Sequence, residues 1–110
     1  GFGRLGHDLG CEAYGIKPDM ITFAKGITSS YVPMGAVAFS PKVADVLAQG
    51  SEGGLFGHGY TFGGHPVACA VALECLNIYQ EQGAKANTRA RSDELLSGLL
   101  SIANDSWLIG

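Results

Sequence analysis

The chain has 110 residues, 46% hydrophobic and 15% charged, with a net charge of -3. That is a one-domain length with enough apolar material for a core, and it lies outside disordered compositions. The Lys and Arg residues form no cluster, which argues against a nucleic-acid surface. No apolar run reaches the ~18 residues needed to cross a bilayer, so a membrane partner is not expected.

Residues 1 to 15 hold Gly1, Gly3, Gly6, Gly10 and Gly15, a density that would weaken a helix or strand, and read as loop. Pro18-Asp19 makes a turn. Met20-Ile21-Thr22-Phe23-Ala24 is a short β-branched and aromatic run, the pattern of a buried strand, ended by Lys25-Gly26. A small-residue loop covers 26 to 34. Gly35 to Phe39 reads as a second strand. Ser40 suits a helix N-cap and Pro41 the first helical position, so a helix is expected over about 41 to 48.

Residues 50 to 64 are glycine-rich and irregular. Pro66 opens a helix that is almost wholly apolar from Val67 to Tyr79, expected to be buried on most of its circumference. Gly83 ends it at a C′ position. A further helix from about Ala84 to Ala103 carries Ala86, Leu96, Leu99, Leu100 and Ala103 on one face. The break at Gly83 divides the chain into 1–83, the later part of one domain, and 84–110, a connector helix leading into the next. Gly1 is not a Met, and Trp107-Leu108-Ile109-Gly110 looks like a strand beginning. Both ends read as cut through structure, the mark of a piece of a longer chain.

Cys11, Cys69 and Cys75 are odd in number and irregularly spaced, a poor disulfide framework. Cys69 and Cys75, inside an apolar helical pattern, read as small core residues in a reducing, cytoplasmic compartment. His7, His58 and His65 lack zinc-ligand spacing, so no metal is expected. Gly1-Phe2-Gly3-Arg4-Leu5-Gly6 matches the dinucleotide fingerprint by letter, but no strand precedes it and no helical periodicity follows, the context that gives the motif its meaning.

Lys25 is the informative residue. An ammonium at the end of a buried strand is costly to desolvate without a partner, unless its stem lies along the strand and the charge reaches water. A partly buried amine holds its proton less tightly, and a neutral amine can attack an aldehyde. Gly26, Ser29 and Ser30 leave room beside it for a flat ring.

Pro18-Asp19-Met20-Ile21-Thr22-Phe23-Ala24-Lys25-Gly26, followed by Pro33-Met34-Gly35-Ala36, resembles the cofactor-lysine signature of class III aminotransferases, pyridoxal 5'-phosphate (PLP) enzymes of fold type I. Gly1-Phe2-Gly3-Arg4 resembles the segment after that family's Asp-Glu-Val motif. His58 to Ala70 resembles its cofactor-phosphate loop and following helix. The three matches are collinear and cover nearly the whole chain. Ser30 replaces a glycine common before Tyr31.

The resemblance implies an α/β fold, with this chain as a piece of the PLP-binding large domain and a mainly parallel sheet flanked by helices. It implies that Lys25 forms the Schiff base with PLP and moves the proton during catalysis. It implies that Thr61 binds the cofactor phosphate of the neighbouring subunit in a homodimer with shared active sites, and that Tyr60 lines the same site. Arg4 is read as structural in its loop.

The Thr28 to Pro33 loop is more similar to the branch acting on amines and ω-amino acids. The implied reaction is amino transfer from such a donor to an oxo acid such as pyruvate. Acetylornithine, ornithine or 4-aminobutyrate aminotransferases are the alternative within the family. A non-catalytic piece that kept the fold is the alternative outside it, and the presence of Lys25 argues against that. The pyridine-nitrogen aspartate is expected upstream of Gly1, so the isolated piece is expected to be inactive.

Overall fold

A computed structural model describes residues 1–50 and 57–105. The elements in chain order are α1 (Gly10–Ala13), β1 (Met20–Phe23), a 3-10 turn (Lys25–Ile27), β2 (Ala36–Phe39), α2 (Pro41–Gly50), α3 (Pro66–Glu81) and α4 (Ala84–Asp105). The apparent strand at Trp107–Gly110 lies outside the described residues, as does the middle of the glycine-rich stretch, 51–56.

The two strands lie where the β-branched runs placed them, but they pair antiparallel, with Met20 opposite Phe39 and Phe23 opposite Ala36. No crossover helix separates them. The connection through residues 24–35 doubles straight back, and only an antiparallel neighbour is reached that way. A mainly parallel sheet can carry such a pair at an edge. Within these residues, however, the parallel expectation is not met.

Ser40 begins α2 without capping it through its hydroxyl. Its carbonyl accepts from the Ala44 N–H, while Ser40 Oγ donates to Asp19 Oδ1 at 3.0 Å and Ser40 N–H donates to the Asp19 carbonyl at 2.8 Å. The serine therefore joins the turn before β1 to the exit of β2. Gly83 behaves as its type requires. Its φ of +62 turns the chain out of α3, in the left-handed region that glycine enters without a Cβ penalty, and α4 starts at once.

Two contacts bind α4 back to the N-terminal loop. Lys85 Nζ lies 2.7 Å from an Asp8 carboxylate oxygen, and Arg89 Nη1 donates to the Gly6 carbonyl. The glycine-rich opening of the chain is a turn closed on itself, with Phe2 N–H donating to the Asp8 carbonyl and Gly3 N–H to that of His7. The dinucleotide-like letters are followed by only the four-residue α1. Gly3 and Gly6 serve the turn, at φ +93 and +74.

The core is small. Ile27, Ala72 and Cys75 are its buried hydrophobic residues, joined by Thr28. The apolar α3 is not enclosed as its composition suggested: Val67, Leu73, Leu76 and Ile78 are exposed, and so are Leu96, Leu99 and Leu100 on α4. The radius of gyration is 18.9 Å, against about 13 Å for a compact domain of this length. The accessible surface is 8763 Å², against about 5,800 Å² for a compact monomer of this mass. The apolar faces are formed, but the packing that would cover them is not within these residues.

Produced alone, the 110-residue chain is therefore expected to melt broadly and bind hydrophobic dyes. Thermal unfolding followed by far-ultraviolet circular dichroism checks this. A sharp two-state transition in a monomeric sample would contradict it.

Candidate active site

Lys25 is the first residue of the 3-10 turn, one residue, Ala24, beyond the end of β1. Its backbone φ is +54, and Ser29 and Ser30 follow at +49 and +66. Left-handed backbone costs a residue with a Cβ roughly 1–2 kcal/mol. Three such residues within six positions require other contacts to hold them. Those contacts are present. Thr28, 1% exposed, donates through Oγ1 to the Val32 carbonyl at 2.7 Å. Tyr79 on α3 donates through its hydroxyl to the Gly26 carbonyl at 2.8 Å. The Phe2 ring lies so close to Gly26 that a Cβ there would sit 3.2 Å from it, and Phe2 also meets Phe23, ring centroids 5.6 Å apart.

The Lys25 side chain is exposed, so the partial burial expected of it is not found within these residues. It lines an open cleft of about 260 Å³ with Gly1, Phe2, Gly3, Arg4, Gly26, Ser29, Ser30, Tyr79, Ala84 and Thr88. Glycines on two sides leave flat walls, and hydroxyls and one guanidinium supply polar contacts. A planar, anionic aldehyde fits this set of groups: a primary amine to bond it, open glycine surface for its ring and Arg4 as a positive charge. Arg4 thus has a place in the cleft beyond the loop role given to it above. Tyr79 and Thr88 were not visible as cleft residues. The available signal was one phenol in an otherwise apolar helical run.

Tyr60 and Thr61 do not join Lys25. Tyr60, 80% exposed, lines a second, larger cleft of about 500 Å³ formed with Val32–Gly35, with Phe62–His65 of the loop and with Val67–Cys69 of the helix start. Thr61 is exposed in the turn before Pro66 and lines neither cleft. The larger cleft is apolar and lacks the amine, so size does not identify the chemistry here. All three cysteines are free, with Cys75 buried and Cys11 and Cys69 half-buried. Among the described residues no group of His, Cys, Asp and Glu could hold a metal, and no helix is long and apolar enough to cross a membrane.

The family model described as aminotransferase class-III matches residues 1–110, the whole chain. The chain belongs to the class III aminotransferases. It is 49% identical over its full length to a γ-aminobutyrate transaminase 3 of Solanum lycopersicum, named chloroplastic, and covers 21% of that protein. A transaminase structure from the marine bacterium Virgibacillus superposes with a TM-score of 0.87 at 44% identity, over 96% of this chain and 24% of that one. An (S)-enantioselective ω-transaminase from Thermomicrobium roseum gives 0.86 at 46% identity, over 94% and 23%. The α/β, fold type I assignment stands on these neighbours. The chain spans between a fifth and a quarter of the length of these relatives. The family is PLP-dependent, and a taurine:2-oxoglutarate aminotransferase of Bifidobacterium kashiwanohense, 34% identical, is described in complex with PLP and glutamate.

Two substitutions test the backbone around the cleft in the intact protein. Gly6→Ala forces a Cβ against the Arg89 side chain at a left-handed position and should destabilise by about 1–3 kcal/mol. Ser30→Gly relieves a left-handed serine and should be neutral or slightly stabilising. Denaturant unfolding of both variants measures this, and the reverse order of stabilities would contradict the assigned backbone.

Proposed function

We propose that the intact protein is a transaminase that takes an amino group from an ω-amino acid or amine and delivers it to an oxo acid such as pyruvate. The observation that carries this is Lys25 on a rigid strand end, facing a glycine-walled cleft, in a class III chain. The names of the curated relatives favour 4-aminobutyrate as the donor. That compound is itself an ω-amino acid, so it falls within the same donor class. The retained lysine disfavours a non-catalytic role.

Lys25 would hold PLP by bonding its aldehyde carbon through Nζ, with Arg4, Ser29 and Ser30 around it. Bound there, PLP supplies an electron sink for negative charge developing at the donor's amine-bearing carbon. With PLP held there, Lys25 Nζ would be placed to take a proton from the donor's amine-bearing carbon and return it, a general acid-base role. Phe2 packs over Gly26 and closes that side of the turn.

Tyr60 and Thr61 serve the other subunit of a homodimer in this reading. Support comes from their separation from the Lys25 cleft within one chain and from the exposure of residues 57–64. Exposed loops of this kind reach partners, and two-fold symmetry makes the exchange reciprocal. Residues 1–83 then belong to the large, cofactor-binding domain, and α4 is the connector to the small one. The free cysteines fit a reducing compartment such as the cytoplasm, while curated relatives carry chloroplastic and mitochondrial names.

Borohydride reduction of the intact protein with PLP, followed by peptide mapping, should place the pyridoxyl label on Lys25. A label on another lysine, or none, would overturn the assignment. Lys25→Ala should fold and lose nearly all turnover.

A Thr61 hydrogen bond to a phosphate is worth about 1.5–3 kcal/mol, so Thr61→Ala should weaken PLP retention roughly ten- to a hundredfold. Mixing Lys25→Ala and Thr61→Ala dimers under subunit exchange should raise activity above either parent, because one site of the heterodimer carries neither defect. If demonstrated exchange restores nothing, Thr61 serves its own subunit.

A further inference from the structure

We propose that Tyr79 is a positioning residue for Lys25, acting through the Gly26 carbonyl. This rests on the reading of Lys25 as the lysine that bonds PLP, and extends it to a residue of α3 that the reaction itself does not require. The direction in which Lys25 projects is set by its left-handed backbone, φ +54. Rotation to the ordinary negative φ would redirect the Cα–Cβ bond and carry Nζ to another part of the cleft. The backbone bonds of the turn itself are long, with Ile27 N–H to the Ala24 carbonyl at 3.4 Å, Thr28 N–H to the Lys25 carbonyl at 3.3 Å and Ser29 N–H to the Gly26 carbonyl at 3.3 Å; the shorter local bonds, Thr28 Oγ1 to the Val32 carbonyl at 2.7 Å and Tyr31 N–H to the Thr28 carbonyl at 3.0 Å, hold the segment after it.

The short bond to the Gly26 carbonyl itself is tertiary. Tyr79, 53 residues away in sequence, donates to the Gly26 carbonyl at 2.8 Å. It comes from α3, which packs on this turn and contributes buried Ala72 and Cys75 to the core. The Gly26–Ile27 peptide, one beyond the peptide that leaves Lys25, is thereby fixed to a long helix as well as to its own loop. Phe2 over Gly26 blocks displacement on another side. The phenol is half-buried and at the wall of the cleft. Its hydroxyl proton is committed to a backbone carbonyl, which suits a structural tie to the lysine's own turn better than proton exchange with a substrate. The charged side chains at this cleft are Lys25 and Arg4, so removing the neutral phenol hydroxyl changes geometry without removing a charge.

The test uses the intact, PLP-loaded protein. Tyr79→Phe keeps the ring and removes only the tie. It should keep the borohydride label on Lys25, lower kcat about tenfold with the donor KM within twofold, and move the pH midpoint of the absorbance of the Lys25-linked cofactor. Site-specific 3-fluorotyrosine at position 79, a stronger donor of nearly the same shape, should move that midpoint the opposite way and keeps the test available if Tyr79→Phe folds poorly. An unmoved midpoint in the fluorotyrosine protein would overturn the proposal. So would a raised KM at unchanged kcat in Tyr79→Phe, because Tyr79 would then touch the substrate. Absence of a Lys25 label in the wild type would instead sink the reading of Lys25 and is seen before any Tyr79 variant is made.

Discussion

The hydrogen bond from the Tyr79 hydroxyl to the Gly26 carbonyl joins the two halves of the site's support. On one side is a turn in which Lys25, Ser29 and Ser30 all occupy left-handed backbone, a conformation that a short loop of L-residues does not hold unaided. On the other is a 16-residue helix. Among the described residues, buried Ile27, Thr28, Ala72 and Cys75 gather where these meet. The small core is thus a support for the lysine turn rather than the centre of an independent domain.

This placement explains why so much apolar surface remains open elsewhere. α3 has apolar side chains around most of its circumference, yet only the strip facing the turn is covered here. α4 is tied to the N-terminal loop through Lys85 and Arg89, and its leucines further along have no cover among the described residues. Large contiguous apolar faces are uncommon on free-standing monomers. A chain spanning between a fifth and a quarter of its relatives' length has those faces because they belong to a larger packing arrangement.

Much of the local structure was legible because single residues dictate it. Pro41 and Pro66 begin helices, Gly83 ends one, and the β-branched run at 20–23 forms the strand before Lys25. The order of the strands in space was not legible, since alternation patterns do not encode the direction of a partner. Ser40 suits an N-cap by type, but its hydroxyl found a carboxylate at Asp19, 21 positions away, and no local rule foresees such a pairing.

The family could be read from three collinear motifs. The clamp on Lys25 could not, because Tyr79 lies 53 residues from Gly26 and nothing in an apolar helical run marks one phenol as special. Ser30 is the converse case: its departure from a common glycine was visible in the letters, and the left-handed φ of +66 gives the physical reason a glycine suits that position.

The central claim is that a left-handed Lys25, pinned through Gly26 by Tyr79, presents the amine that bonds the cofactor. A crystal structure of the intact protein with PLP tests it most directly. The account predicts continuous density from Lys25 Nζ to the cofactor, a positive φ at Lys25 and the Tyr79 hydroxyl on the Gly26 carbonyl. A negative φ at Lys25, or density joining the cofactor to a different lysine, would contradict it.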